Sequence, residues 1–485
     1  MKTSVVALLI ALASAASVVR AAEKPNVLFV LIDDFGWYDV GYNGSTFYET
    51  PEMDRLSKQW TRFDHCYTPS PMCSPTRVSI LTAKNPARHG VTQWLPGVDV
   101  AYRRKGEKAR VYCPKPQAAG IKDKEVTLGE AFQEAGYETA FFGKWHMGKL
   151  NETGGPTRHG FDSEKAIIET NNCQMFHPFH NSRKAKPPTY FPDSNPGDNF
   201  TDLLTNAAIE FVTAERDQPF YLHLCHFAMH APIASKSDVR DRFEKKAQAL
   251  PALEPDRVLD DHGHKAQKLR QDSAEYAGEL FTLDKNIGRL VGALKSAGLY
   301  DNTIIVLTGD NGGRSSYFRT HPTSNQPLRT GKTFVFEGGV RTPLLIHWPG
   351  HSKPGSSVDS PLTSMDFYPT LLEMAMLPAR PDQHVDGVSL VPLFGGGSLQ
   401  RDAMYFHFPH YQGEGSYPAS AIRQGNYKLI HNYHHDDVLL FDVVKDPNET
   451  TNLAPMMSDM ADHLDAKLMN YLAEVKAYIP KPPLP

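Results

Sequence analysis

The sequence predicts an α/β fold: a large domain with a mainly parallel central sheet flanked by helices, then a smaller C-terminal domain with an antiparallel sheet and a helix. Three observations carry that prediction. Apolar runs bounded by turn or charged residues recur along the chain, stretches with apolar residues at helical spacing separate them, and after about Gly395 the pattern changes to short alternating segments.

The first run, Asn26 to Ile32, lies between Pro25 and the Asp33-Asp34 pair, and its length and β-branched content read as a strand buried on both faces. Phe220 to Leu224, Thr303 to Thr308 and Thr342 to Ile346 have the same form. Helices are expected over Thr127 to Ala135, Phe200 to Ala214 and Ala274 to Ala297. Strand alternating with helix implies a largely parallel sheet, and ligands of such sheets bind beyond the carboxyl ends of the strands. Asp33-Asp34 and Asp310-Asn311 each follow a predicted strand directly, so both pairs are expected on one rim. Beyond Gly395-Gly396-Gly397, the segments Met404 to Phe408, Ala419 to Arg423, Tyr427 to His431 and Leu439 to Val443 read as a small antiparallel sheet. A last helix is expected from Ser458 to Tyr478, with a frayed tail from Lys481. The expected division is residues 1–21 as a leader, 22–395 as the large domain and 396–485 as the small α+β domain.

The leader is read from Lys2, the apolar run Val5 to Val19, and a cleavage site at Val19-Arg20-Ala21. The run is short and soon meets Glu23, Lys24 and Pro25, so it reads as a secretory signal and not as a membrane span. No later segment has the length and apolarity of a span, and a secreted or periplasmic protein is expected. Apolar residues make up 40% of the 485, enough for an ordinary globular core. A net charge of −4 argues against a nucleic-acid partner, and any anionic substrate must be met by local positive charge. Five cysteines leave at least one unpaired and show no C-x-x-C spacing. Apart from Cys73, they are expected either in two disulfides or as small buried apolar residues. Sequons begin at Asn43, Asn151, Asn199 and Asn448.

Several constellations carry chemistry. Asp33, Asp34, Asp310 and Asn311 offer hard oxygen ligands, which suit calcium or magnesium and not zinc. Either acidic pair alone would read as a helix cap or a turn; two of them at strand ends favour a metal. Arg77, Lys144 and Lys332 are candidate fixed positive charges, with glycines flanking Lys144 and Lys332 in sequence. His146 and His230 are candidate proton shuttles, because an unperturbed imidazole titrates near neutral pH. His223, His226, His431, His434 and His435 receive no role, and His89 and His159 are possible neighbours of the site. The sharpest local signal is Cys73-Ser74-Pro75-Thr76-Arg77, leading into a helical pattern through Leu81.

That pentapeptide resembles the maturation signal of the formylglycine sulfatases of the alkaline phosphatase superfamily. The resemblance runs from Pro25 to about Leu453 through motifs in the family's order. These are Asp33-Asp34-Phe35-Gly36-Trp37, Thr50-Pro51 leading to Asp54 and Leu56, Gly143-Lys144-Trp145-His146-Met147-Gly148, Met229-His230-Ala231-Pro232, Thr308-Gly309-Asp310-Asn311-Gly312, and Lys332 ahead of Glu337-Gly338-Gly339-Val340-Arg341. Ala83 departs from the pattern, since the family usually has glycine after Leu81-Thr82. An effect on helix packing, and weaker recognition by the maturation enzyme, are the expected consequences.

The resemblance implies a secreted sulfuric ester hydrolase acting on sulfated carbohydrate or a small sulfate ester. It implies that a formylglycine-generating maturation enzyme converts Cys73, and that one calcium ion is held by Asp33, Asp34, Asp310 and Asn311 with residue 73. Arg77 and Lys144 would hold the hydroxyls of the hydrated aldehyde, and Lys332 the sulfate. A double displacement follows: one hydroxyl attacks sulfur while His230 protonates the departing alcohol, then His146 takes the proton of the second hydroxyl and sulfate leaves. Two rivals are weighed against this. A phosphomonoesterase or phosphodiesterase on the same fold would need a histidine-rich second metal set, which the motifs lack. A non-catalytic carbohydrate-binding protein would be expected to have lost a nucleophile, lysine or ligand. The loop Gly97 to Gly120, with Arg103, Arg104, Lys105, Lys108 and Arg110, reads equally as a lining of anionic subsites or as a solvated basic loop, and the segment around His407, His410 and Arg423 is a candidate for the other side of the cleft.

Overall fold

The computed structural model describes residues 24–95, 110–170, 173–180, 190–263, 265–316 and 322–482. Among these, eight strands form the central sheet: β1 (Asn26–Ile32), β2 (Thr61–Phe63), β3 (Glu138–Lys144), β4 (Ser163–Ile168), β5 (Phe220–His226), β6 (Thr303–Gly309), β7 (Leu344–His347) and β8 (Ser357–Val358). Their spatial order is β8-β2-β7-β6-β1-β5-β3-β4. The five from β6 to β4 run parallel. Every residue of β1, β5 and β6 is buried, as the unbroken apolar runs require.

Successive side chains of β1 feed two cores. Leu28, Val30 and Ile32 pack on the side of the helices Phe200–Thr213 and Ala274–Ser296, whereas Val27, Phe29 and Leu31 pack on the side of Cys73–Thr82, Leu128–Glu134 and Phe367–Met374. The long helix begins where the Ser273 side chain accepts the Tyr276 N–H, and it buries Leu280, Leu283, Ile287, Leu290 and Leu294 at helical spacing. Thr127 and Glu130 close a reciprocal capping box at the start of Leu128–Glu134.

The expected strand Thr342 to Ile346 is corrected into two pieces. Pro343 has no N–H to give a ladder. Before it, Arg341–Thr342 pairs with Cys66–Tyr67 in a separate ribbon; after it, β7 joins the central sheet antiparallel to β6 and β2. The cysteine alternatives are also resolved, since Cys66, Cys73, Cys113, Cys173 and Cys225 are all free and buried. No helix among the described residues is long and apolar enough to cross a membrane.

The C-terminal sheet is an antiparallel meander of β9 (Met404–Phe408), β10 (Ala419–Gln424), β11 (Tyr427–Asn432) and β12 (Asp437–Asp442). The helix Ser458–Glu474 lays Leu464, Leu468 and Leu472 against Ile422, Leu429 and Leu440. It stops short of the expected Tyr478, with Lys476 left-handed at φ 55° just beyond. Lys481 is not frayed: it exchanges backbone hydrogen bonds of 2.7 and 3.0 Å with Tyr112.

A buried charged cluster ties this sheet to the large domain. The Lys428 ammonium, on β11, lies 3.0 Å from both Glu337 Oε1 and Glu449 Oε1, and all three side chains are fully buried. Tyr67 donates to Glu337 at 2.6 Å and itself receives the Arg423 guanidinium. Burial would raise the Glu337 carboxyl, but Lys428, Arg423 and Arg341 outweigh it and hold it low; burial wins at Glu449 and raises it. Lys428→Met leaves two carboxyls buried without their cation and is expected to cost about 3–5 kcal/mol. Urea unfolding checks this against Lys445→Met, an exposed site where the midpoint is expected to stay in place.

Candidate active site

The carboxyl ends of β1, β3, β5 and β6 bring distant residues to one rim. Asp33 extends the ladder by donating its N–H to His226 O at 3.2 Å, and Asp310 does the same to Ile32 O at 3.2 Å. Asp34 then turns left-handed at φ 55°. That turn breaks the strand's alternation and lets both aspartates serve one cavity. Asp34 N–H donates to Asp310 Oδ1 at 3.1 Å, and Asn311 Nδ2 donates to Asp34 Oδ1 at 2.9 Å. On β3, a Cβ at Gly143 would lie 2.0 Å from Cys225 O, so only glycine lets the strand pass and deliver Lys144. His146 at φ 54° and Met229 at φ 77°, just before His230, are left-handed too. Three such residues, at about 1–3 kcal/mol each, mark the rim as a place where geometry outranks local stability.

Each residue of the pentapeptide has a structural duty. Cys73 opens the helix Cys73–Thr82, so the positive end of the helix dipole lies beneath its side chain. Ser74 Oγ accepts the Leu95 N–H at 3.0 Å, Pro75 sits in the first turn where an N–H has no helical partner, and Thr76 donates its hydroxyl to Ser70 O at 3.0 Å. Arg77, one turn beyond Cys73, donates from Nε to Asp310 Oδ2 at 2.8 Å and from Nη1 to Lys144 O at 2.7 Å. Ala83 acts at the cap of this helix as well as in the core beside it. It is the left-handed C-cap at φ 51°, a conformation costing a non-glycine residue about 1–2 kcal/mol. Its methyl, buried in the core, returns about 0.8 kcal/mol of that.

The cluster balances charge. Lys144 donates to Asp33 Oδ2, Lys332 donates to Asp34 Oδ1, and Arg77 holds Asp310. Burial raises the Asp33 carboxyl against the pull of Lys144; at Asp34 burial is outweighed by Lys332, Arg314 and Lys144, which hold it low. Burial, reinforced by Lys144, keeps His146 and His230 well below the ordinary imidazole value, so both are neutral here. Burial also raises the Cys73 thiol, whose Sγ lies 3.3 Å from His146 Nδ1. His230 Nδ1 donates to Ala231 O at 2.6 Å, which leaves Nε2 facing Asp34 Oδ2 at 3.9 Å.

Three buried oxygens in this cluster, Asp33 Oδ1, Asp34 Oδ2 and Asn311 Oδ1, have no hydrogen-bond donor among the described residues. Orphaned oxygens of this kind, drawn from carboxylates and an amide, fit a hard divalent cation. Ligand atoms of Asp33, Cys73 and Asp310, and of Asp33, Asp34 and His230, lie within 4.8 Å of one another. All the residues expected at the site, Cys73, Arg77, Lys144, His146, His230, Lys332, Asp33, Asp34, Asp310 and Asn311, are therefore buried along this rim.

Other expectations fare differently. His89 bonds Ser79 Oγ at 3.1 Å and accepts the Val91 N–H at 3.0 Å, and His159 stacks on Trp145; both brace the site's supports. Arg423 belongs to the inter-domain cluster, and His407 bonds Ser420 at 2.8 Å. His410 does reach the segment beside Cys73, through Thr92 at 2.9 Å. Arg103, Arg104, Lys105 and Lys108 lie outside the described residues. The sequence reading missed Arg314, four residues after Asp310, and Glu414, with which it pairs. Its proximity to Asp310-Asn311 was a usable signal for Arg314; Glu414 had none, because its place depends on how the C-terminal sheet docks.

The sulfatase family model matches residues 25–377, and the model of the N-sulphoglucosamine sulphohydrolase C-terminal region matches residues 330–477. N-acetylgalactosamine-6-sulfatase of Mus musculus is 30% identical over 403 residues, covering 80% of this chain and 69% of its own. A sulfatase of Formosa agariphila is 29% identical over an alignment of 541 residues, covering 96% and 92%. The crystal structure of Ps i-CgsB in complex with k-i-k-neocarrahexaose matches with a TM-score of 0.73 and 26% identity over 93% of both chains. A family match that takes in the whole central sheet and the whole charged rim leads to one conclusion: this chain belongs to the sulfatase family and is a sulfuric ester hydrolase.

Proposed function

We propose that the chain hydrolyses sulfate monoesters of a sulfated carbohydrate, using residue 73 as formylglycine and one calcium ion held by Asp33, Asp34, Asp310 and Asn311 with residue 73. The observation that carries this reading is the set of three orphaned oxygens beside three buried cations at the head of the Cys73 helix. When present, the hydrated aldehyde supplies a hydroxyl nucleophile with a second hydroxyl for release, and the calcium supplies fixed positive charge beside it. Arg77 and Lys144, already seated on Asp310 and Asp33, orient the side chain of residue 73. Lys332 meets the sulfate. His230 donates a proton from Nε2 to the leaving oxygen; bound sulfate adds the negative charge that favours its protonated form. His146, in contact with residue 73, takes a proton from it to release sulfate.

The carbohydrate assignment is supported by the saccharide complex of Ps i-CgsB and by the sugar named in the mouse relative. The leader at residues 1–21 supports export. Cys73 is buried in the fold, so the maturation enzyme is expected to act on the chain before it closes.

The purified enzyme is expected to hold one calcium per chain by elemental analysis. Its thermal midpoint is expected to fall on chelation and return with calcium; saturation at a hundred times Kd corresponds to about 2.7 kcal/mol. Two zinc ions per chain would contradict the site. The function itself is tested by turnover of nitrophenyl sulfate and of defined sulfated saccharides by matured enzyme, and failure on all of them would overturn it. In the same assay His230→Ala is expected to lose about 10²–10⁴-fold in kcat/KM on a saccharide, whose alkoxide needs a proton, and clearly less on the aryl sulfate. Equal losses, with chemistry rate-limiting, would move the acid role to another residue.

A further inference from the structure

Beyond the sulfate-binding residues, the site has a second charged element made from three separated segments. Gly313, next to Arg314, accepts the Lys332 N–H at 3.0 Å, so Arg314 leaves the backbone directly beside the sulfate lysine. Its guanidinium meets the Glu414 carboxylate, and the two side chains keep only 12% and 10% of their surface exposed. Glu414 lies in the connection between β9 and β10. That connection is fixed from behind by a backbone bridge from Ser416 to Gly263 and by the Lys265 ammonium on Gly413 O. Ser315 Oγ in turn donates to Gln267 Oε1 at 2.6 Å. The pair therefore has a defined position set by both domains.

Two further features point to a polar ligand. The hydroxyls of Ser316 and Ser416, each two residues from a member of the pair, are buried with no hydrogen-bond partner among the described residues, and the two residues are 2% and 1% exposed. Arg314 and Lys332 both hold the Glu414 carboxyl below its ordinary value despite burial, and Arg314 acts on Asp34 and His230, so the pair shares the field of the sulfate pocket.

We propose that Arg314 and Glu414 form a subsite for a free hydroxyl on the sugar that bears the scissile sulfate, and that Glu414 excludes a second sulfate at that neighbouring position. A carboxylate only accepts hydrogen bonds and a guanidinium only donates them, so together they satisfy a sugar hydroxyl in both of its roles. A sulfate there would bring no donor for Glu414 and would place like charges together. The inference rests on the sulfatase reading of the pocket and specifies its substrate as a sugar sulfated at one position with a free neighbouring hydroxyl.

The test uses full-length matured enzyme and three substrates. They are nitrophenyl sulfate, the monosulfate turned over fastest among a panel of hexose and hexosamine monosulfates, and the same sugar also sulfated at the neighbouring hydroxyl. Wild type is expected to prefer the monosulfate to the disulfate by at least about tenfold in kcat/KM. Glu414→Gln, which keeps an oxygen for Arg314, is expected to lose about 10–100-fold on the monosulfate, the range for a hydrogen bond to a charged group. That loss should exceed its loss on the aryl sulfate at least about tenfold, and the preference over the disulfate should narrow. Arg314→Lys, which keeps the charge and loses the fork, should show the same ordering and stands in if Glu414→Gln unfolds on thermal melting. Equal losses on all three substrates, equal wild-type turnover of the two saccharides, or hydrolysis of the aryl sulfate alone would overturn the subsite. Wild-type turnover of the aryl sulfate separates that failure from failure of the sulfatase reading.

Discussion

The site depends on one constraint: three carboxylates and three cationic side chains must be buried together. Asp33, Asp34 and Asp310 face Lys144, Lys332 and Arg77, and none of the six is more than 4% exposed. Removing any one partner would leave an uncompensated charge in a medium that punishes it heavily. The cluster as a whole is close to neutral, yet it retains three oxygens with no donor. Neutral overall and under-coordinated locally, it is suited to take up a cation and an anion together, which is the requirement of sulfate ester chemistry. Neutral histidines on the same rim leave that balance undisturbed.

The fold is arranged to satisfy this constraint. Parallel strands end side by side, so residues far apart in sequence meet with little loop between strand and charge. Where strand geometry would turn a needed side chain away, the chain accepts a left-handed residue at Asp34, His146 and Met229. The Cys73 helix supplies the site with its dipole and, one turn along, with Arg77. Among the described residues, the C-terminal domain meets this machinery through, among others, the fully buried Lys428 between Glu337 and Glu449 and the largely buried pair of Glu414 with Arg314.

Much of this was legible in the residues. Buried parallel strands announce themselves as apolar runs, so β1, β5 and β6 were read nearly to the residue, as was the antiparallel meander. β3 and β4 were not. The first begins with Glu138-Thr139 and ends in Gly143-Lys144, and the second is an edge strand exposing Glu164 and Lys165, so neither has the apolar signature. Pro343 was overlooked inside a run that otherwise looked continuous, although its missing N–H divides two sheets. The site residues were legible because they occur in short motifs at strand ends. Glu414 and the roles of Glu337 and Arg423 were not, because they arise only when two domains close on each other.

The place of residue 73 at the head of a helix, 3.3 Å from His146 and close to the orphaned oxygens, supports the proposed nucleophile role. A buried thiol whose ionisation is opposed by burial is poorly suited to that role unmodified. The most direct measurement is the mass of the peptide containing residue 73, taken on enzyme whose sulfate ester hydrolysis has been measured in the same preparation. The account predicts an aldehyde at residue 73 in proportion to activity, and a Cys73→Ala protein that folds and is inactive. Full activity with an unmodified thiol throughout would contradict it.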